Sequence, residues 1–153
     1  MKSIVIYYSE SGNTEKIAKA ISGAIKSDLK KVDEIKPEEV SDYDLIFIGT
    51  PVHGSAPAKT VIKFLNNLLK LTNRKGAAFC TMHSFGDNKT FNIIKEKFEA
   101  KWILYIDGFS CLGQSRLIAN FGPRIFNKDR PNEEDLKAAE QFAKTILEKF
   151  ATI

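Results

Sequence analysis

The sequence of 153 residues has few cysteines, no long apolar run and only a small excess of charge. Its two cysteines, Cys80 and Cys111, form neither a CxxC pair nor a metal-ligand pattern, so each is predicted to be a buried thiol. No run of about eighteen apolar residues could span a membrane, and the first residues lack the cleavage region of a signal peptide. These absences favour a cytoplasmic protein whose core needs no disulfide.

The net charge of +4 is too modest to indicate a nucleic-acid partner. The cations nevertheless cluster in two stretches of the chain. The first holds Lys59, Lys63, Lys70, Arg74 and Lys75 with no acidic residue among them, and the second holds Arg116, Arg124, Lys128 and Arg130, offset by Asp129. They are either solvated surfaces or docking sites for an acidic partner or an anionic ligand.

Apolar runs of strand length alternate with amphipathic helical patterns along the chain. The predicted strands cover residues 4–8, 29–35, 44–49, 76–82 and 102–111. Helices are predicted over 14–27, from Pro57, over 87–99, and over 132–150 with Asn132 as cap, with a short helical turn near 37–40. This alternation predicts a parallel sheet covered on both faces, in a single domain over residues 1–153.

A polar loop follows the first predicted strand and opens the first helix. It consists of Ser9, Glu10, Ser11, Gly12, Asn13 and Thr14. A helix N-terminus offers unpaired N–H groups and a partial positive charge, and Gly12 lets the backbone turn tightly around an anion. The loop is therefore a candidate phosphate site, although an ordinary helix cap explains the same residues. The absence of a Walker lysine and of GxGxxG disfavours a nucleoside triphosphate and a dinucleotide.

These residues resemble the flavodoxin family, whose phosphate loop reads [ST]-x-[ST]-G-N-[ST] and is matched here at every defined position. Residues 42–52 also look like the family's third strand and the loop after it. Residues 111–113 and 130–136 are similar to the flavodoxin domains of flavodoxin–ferredoxin fusions, although no cysteine-rich segment follows here. The resemblance implies a three-layer, doubly wound α/β fold with a five-stranded parallel sheet of order 2-1-3-4-5. It also implies FMN as cofactor, its phosphate on the loop 9–14.

The resemblance further implies that the flavin ring lies between two loops, 50–56 and 81–88. The candidate residues are Thr50, Pro51, Val52, His53, Gly54 and Ser55 in the first loop, and Met82, His83, Ser84, Phe85, Gly86 and Asp87 in the second. A flip of the His53–Gly54 peptide is expected to control the proton on flavin N5. For ring stacking the second loop offers only His83 and Phe85, and Phe85 could equally pack in the core.

Three functions are compatible with this resemblance. The first is an electron carrier between redox proteins, such as a ferredoxin-like protein or a reductase. The second is an FMN-dependent oxidoreductase acting on a small molecule such as a quinone, with NAD(P)H as donor. The third is a binding module without flavin. The long segment 113–131 is predicted to be a covering loop, with a dimer interface or a partner contact as alternatives. The positive charge predicts a less negative potential for the last reduction step than acidic flavodoxins have.

Overall fold

The computed structural model describes residues 1–119 and 122–153. The strands are β1 (Ser3–Tyr7), β2 (Asp28–Lys31), β3 (Leu45–His53), β4 (Ala56–Pro57), β5 (Arg74–Met82), β6 (Ile103–Leu112), β7 (Ser115–Ala119) and β8 (Gly122–Phe126). The helices are α1 (Asn13–Ile25), α2 (Lys59–Asn66), α3 (Asp87–Ala100) and α4 (Glu133–Thr152), and a 3₁₀ turn covers Pro37–Asp42.

Five parallel strands form the main sheet in the order β2-β1-β3-β5-β6, which is 2-1-3-4-5 in chain order. The predicted topology is therefore confirmed. The sheet has one further strand, because the short β4 pairs antiparallel with the end of β3. The strand order reverses between β1 and β3, and in this class of sheet ligands bind beside such a reversal, at the carboxyl ends of the strands.

The interior strand β1 shows why the sheet carries helices on both faces. Its side chains alternate, so that Ile4 and Ile6 belong to one buried cluster while Val5 and Tyr7 belong to the other. The helices α2 and α3 contribute to the first cluster, and α1 and α4 to the second. A strand covered on both sides needs no polar alternation, which explains its unbroken apolar run.

One glycine of β3 is required by packing. A Cβ atom on Gly49 would lie 2.1 Å from the ring of Phe79 on the neighbouring strand β5. The aromatic ring therefore fills the space that a side chain at position 49 would need. This close packing joins β3 and β5 just before both strands reach the crevice.

The structure differs from the sequence predictions in four places. β3 continues to His53, four residues beyond its predicted end. Pro57 pairs with Val52 in β4, so the prediction that it opens the helix is wrong, and α2 begins at Lys59. The segment 113–131 is not an irregular loop but contains the β7–β8 hairpin, whose connection at residues 120 and 121 lies outside the described residues. Finally, β2 ends at Lys31, four residues earlier than predicted.

Both cysteines are buried, as predicted, and neither is in a disulfide. Burial raises the pKa of Cys111 to about 12 and raises the pKa of Cys80 as well. Both groups therefore stay protonated thiols at neutral pH. Within residues 1–119 and 122–153, no helix combines the length and apolarity that crossing a bilayer requires.

Candidate functional site

A crevice lies at the carboxyl ends of β1, β3, β5 and β6. Its cavity of about 190 Å³ is lined by nine predicted site residues, Glu10, Ser11, Asn13, Thr14, Pro51, Val52, His53, Met82 and His83. It is also lined by Thr81 and by the segment Gly113, Gln114 and Ser115 after β6. The fold thus gathers the three predicted loops at one place, and adds a fourth wall that the sequence did not indicate.

The loop after β1 turns into α1 through Gly12, whose φ of +90° is in the left-handed region. Gly12 is the N-cap of α1 and supplies no side-chain cap. The hydroxyl oxygen of Ser9 accepts hydrogen bonds from the N–H groups of Gly12 (3.2 Å) and Glu15 (3.3 Å). Ser9 therefore holds the loop closed, and its own O–H proton is still able to reach an anion.

The side chain of Tyr7 supports the loop from behind. Its hydroxyl donates a hydrogen bond of 3.0 Å to the carboxylate of Glu15 in the first turn of α1. Burial, together with this bond, raises the pKa of Tyr7 to about 12, and the bond also lowers the pKa of Glu15. The hydrogen bond therefore connects the end of β1 to the first turn of α1.

Two polar side chains connect the loop to the other walls. Thr14 is only 1 % exposed, and its hydroxyl lies 2.8 Å from the hydroxyl of Thr81 at the end of β5. The Asn13 amide donates a 2.9 Å hydrogen bond to the carbonyl of Gln114. Gly113 makes this approach possible, since a Cβ atom there would lie 2.6 Å from the Asn13 amide nitrogen.

The first predicted ring loop is mostly a tight hairpin. His53 pairs with Ala56, and the two residues between them, Gly54 and Ser55, have φ of +56° and +62°, as in a two-residue turn of type I′. The His53 imidazole lies 2.9 Å from the carboxylate of Glu10. This contact joins the hairpin to the phosphate loop across the mouth of the crevice.

Thr50 has a structural position, although it was predicted to bind cofactor. It is fully buried, its hydroxyl accepts a 2.9 Å hydrogen bond from the Ala58 N–H, and it donates one of 2.8 Å to the Pro51 carbonyl. Both polar functions of the side chain are thus used inside the loop. Thr50 shapes the wall of the crevice and does not line it.

The second predicted ring loop contacts the first directly. Gly86 has φ of +105°, and a Cβ atom on it would lie 2.9 Å from both Ser55 Cα and Val52 Cγ1. Asp87 accepts a 2.7 Å hydrogen bond from the Ser110 hydroxyl of β6. These contacts attach the start of α3 to the first ring loop and to β6.

The outer part of the second loop points into solvent. Phe85 is 76 % exposed, so the alternative in which it packs into the core is wrong. Ser84 is exposed as well. Nine of the predicted residues do not line the cavity: Ser9, Gly12, Thr50, Gly54, Ser55, Ser84, Phe85, Gly86 and Asp87.

The β7–β8 hairpin packs on the second loop through His83. The His83 Nδ1 atom lies 2.6 Å from the Ser115 hydroxyl, and its ring meets the ring of Phe126 edge-on, with centroids 4.7 Å apart. The Asn127 amide donates a 2.6 Å hydrogen bond to the His83 carbonyl. The apolar pairs on either side of Gly122 were the sequence signal for a hairpin here.

A second, larger cavity adjoins the phosphate loop on its other side. Its volume is about 470 Å³, and its lining is Ser11, Asn13, Lys16, Gln114, Ser115, Arg116 and Arg130. This lining contains three cations and no carboxylate. The two cavities adjoin, because Ser11, Asn13, Gln114 and Ser115 line both of them.

Arg130 is held by an acidic partner on α4. Its guanidinium donates two hydrogen bonds to Asp135, of 2.6 and 2.7 Å, and Asp135 is only 8 % exposed. Burial by itself would raise the pKa of Asp135, but the Arg130 bonds and the Asn132 N–H outweigh it and lower the pKa. The Asn132 side chain in turn accepts from the Asp135 N–H at 3.0 Å, which confirms the predicted helix cap.

A family model described as a flavodoxin domain matches residues 4–128. The chain belongs to the flavodoxin family. This flavodoxin is 34 % identical to an uncharacterised protein of Methanocaldococcus jannaschii, in an alignment covering 96 % of this chain and 99 % of that protein.

Two solved structures show the same fold. Flavodoxin 1 of Bacillus cereus superposes with a TM-score of 0.77 and 22 % identity, over 97 % of this chain and 98 % of that one. A flavoprotein of Lactobacillus acidophilus, solved in complex with FMN, has a TM-score of 0.62 and 24 % identity, over 71 % of this chain and 92 % of that one. Membership of this family supports the predicted cofactor class, FMN, and electron transfer as the general function. The two solved structures support the fold.

Proposed function

We propose that this flavodoxin binds FMN without a covalent bond and passes electrons between redox proteins. FMN, when bound, supplies both one-electron and two-electron chemistry. The protein supplies the binding, the orientation and the charges around the cofactor. The observation that carries the proposal is the helix start at Gly12, where Ser11, Asn13 and Thr14 line the crevice.

The phosphate end of the site is assigned to the loop from Ser9 to Thr14. The helix N-terminus brings N–H donors and a partial positive charge to one point, which favours a dianionic phosphate. A Cβ atom on Gly12 would meet nothing within 4 Å, so the loop has room for a ligand. Lys16 follows one turn later and adds a full positive charge on the same side, where it lines the larger cavity.

The ring end of the site is assigned to the two loops that meet at Gly86 and Ser55. Pro51, Val52 and Met82 offer apolar surface inside the crevice, while Glu10 and His53 close its mouth. The Gly54 N–H and carbonyl lie in a two-residue turn where glycine tolerates either sign of φ. Reorientation of the His53–Gly54 peptide is therefore inexpensive, and it would present either a donor or an acceptor to the flavin.

The proposal is tested by titrating the purified protein with FMN and, in parallel, with riboflavin. FMN is expected to bind with one equivalent per chain and at least a hundredfold more tightly, since riboflavin lacks the phosphate that the loop would bind. Equal affinity for the two flavins would contradict the assignment of the phosphate loop. A protein that takes up neither flavin would overturn the proposed function.

Stepwise reduction of the FMN-loaded protein separates the carrier from the enzyme. A carrier is expected to take up electrons in two resolved one-electron stages and to react slowly with NADH or NADPH. Rapid two-electron bleaching by a reduced nicotinamide, followed by turnover with a quinone, would replace the carrier with the oxidoreductase. We also propose that residues 1–153 form one domain and that the protein is cytoplasmic.

A further inference from the structure

We propose that the β7–β8 hairpin and the first turns of α1 form a docking surface for an acidic redox protein. This inference rests on the proposed electron-carrier function. The basic docking surface is defined by four cations and two apolar residues: Lys16, Arg116, Arg124, Lys128, Phe85 and Ile125. It wraps around the hairpin, because Arg116 and its cross-strand partner Ile125 lie on one face and Arg124 lies on the other. The inference specifies the charge of the redox partner, which the general function of electron transfer does not specify.

The position of the hairpin places this surface beside the crevice. Only Gly113 and Gln114 separate the end of β6 from the start of β7, at the carboxyl edge of the sheet. The contacts of His83 with Ser115 and Phe126 fasten the hairpin to the second ring loop. Lys16 and Arg116 line the same cavity, next to the phosphate loop. A protein bound to the hairpin would therefore lie close to a flavin in the crevice.

The charge of this surface is positive and largely uncompensated. Residues 113–131 contain four cations and one carboxylate, Asp129. Of these cations Arg130 is paired with Asp135. In the described part of the chain, the ion pairs involve none of the four cations that define the surface.

Two carboxylates beside this surface are engaged elsewhere. Glu10 contacts the imidazole of His53, and Asp87 accepts a hydrogen bond from Ser110. The exposed Asp129 beside Lys128 offsets part of the positive charge, and the other cations of the surface face solvent. A complementary partner carries acidic groups around its own redox centre, because complementary potentials steer encounter and suppress wrong partners.

One exposed apolar side chain lies on the hairpin and another on the loop beside it. Ile125 is 47 % exposed and is the cross-strand partner of Arg116, while Phe85 projects from the loop that the hairpin covers. An apolar contact within a charged rim is the usual composition of a protein interface. The small number of apolar residues indicates a transient complex, which suits a carrier that must dissociate after each transfer.

Electron transfer to two haem proteins of opposite charge tests this surface. The FMN-loaded protein is reduced and mixed with acidic cytochrome b5 or with basic cytochrome c, at ionic strengths from 20 to 500 mM. We expect the second-order rate with cytochrome b5 to fall at least tenfold as salt increases. The rate with cytochrome c is expected to rise or stay constant, because screening weakens repulsion.

Charge reversal at one position locates the surface. Arg124→Glu is expected to slow the reduction of cytochrome b5 at least fivefold at low salt and to abolish most of the salt dependence. Lys144→Glu, an exposed position on α4, changes the net charge equally and should leave the rate within twofold. Equal effects of the two substitutions would show that net charge alone acts, and would overturn the proposal.

The failure of this inference is distinguishable from the failure of the proposed function. Calorimetric binding of cytochrome b5 to the FMN-free protein measures docking without any redox step, and it should be weakened by Arg124→Glu. Absence of that binding would overturn the docking surface even where FMN binds normally. Dimerisation in solution that Arg124→Glu abolishes would assign the surface to a second copy of the chain instead.

Discussion

The hydroxyl oxygens of Thr14 and Thr81 lie 2.8 Å apart, although 67 residues separate them in the chain. Both side chains are buried, one in the first turn of α1 and the other at the end of β5. Their contact joins the loop assigned to the phosphate to the loop assigned to the ring. The two ends of the proposed FMN site are thus held in register by one hydrogen bond.

Replacing either hydroxyl alone should destabilise the protein more than replacing both. Thr14→Val or Thr81→Val leaves one buried hydroxyl unpaired, which costs about 1 to 3 kcal/mol of unfolding free energy. The double variant removes both polar groups and is expected to unfold within about 1 kcal/mol of the wild type. Urea denaturation of the four proteins measures this coupling. Additive losses in the double variant would show that the hydroxyls do not depend on each other.

Gly12→Ala should weaken FMN binding and destabilise the fold. The positive φ at this position costs a non-glycine residue roughly 1 to 2 kcal/mol, and relief of that strain would move the N–H groups that face the crevice. Gly23→Ala is the control, because Gly23 lies within α1 with open space around it and alanine is expected to stabilise by about 1 kcal/mol. Unchanged FMN affinity in Gly12→Ala would contradict the role of the loop.

Gly113→Ala should reduce FMN affinity with little loss of stability. The new methyl group would meet the Asn13 amide at 2.6 Å, so this flexible side chain must rotate and give up its bond to Gln114. We expect affinity to fall roughly three- to tenfold, the equivalent of about one hydrogen bond. Asn13→Ala should have the same effect, and the double variant should be no weaker. If the losses of FMN affinity add in the double variant, Gly113 does not act through Asn13.

The Arg130–Asp135 pair predicts a stability difference that depends on pH. Asp135 has a lowered pKa in the folded protein, so its stabilising contribution is complete above the usual value near 4 and is lost as the pH falls through the lower, folded value. Arg130→Gln should therefore cost about 2 kcal/mol of unfolding free energy at pH 7. Urea denaturation from pH 7 to pH 3 should show this cost shrinking below pH 4. A constant difference would exclude the ion pair as its source.

The cations beside the phosphate loop predict a shift in redox potential. Arg116→Glu should make the midpoint potential of the last reduction step more negative, because a nearby positive charge stabilises the added negative charge. Reversing one charge at a separation on the order of 10 Å in water changes this energy by about 1 kcal/mol, or roughly 40 mV for one electron. A redox titration at low salt measures the shift, with Lys144→Glu as control. A shift of equal size in both variants would indicate net charge alone.

The sequence by itself determined the fold class and the position of the loop that we propose binds phosphate. The unbroken apolar run of β1 and the four-residue spacing of Ile17 and Ile21 in α1 are local patterns, and each predicts its element without knowledge of the rest. Gly12 is likewise a local feature, because glycine tolerates the positive φ of this turn. These features could be predicted because neighbouring residues determine them.

Only the tertiary structure decided which residues line the crevice. Thr50 was predicted to face the cofactor, yet its hydroxyl is used by Ala58 and Pro51, and Phe85 lies in solvent rather than in the core. Gln114 reaches the phosphate loop across a sequence separation of 101 residues, through Asn13. Such contacts depend on strand order and on how a hairpin packs, which no local pattern encodes. The chain therefore specifies its phosphate loop locally, while the sheet and the packed hairpin assemble the remaining walls.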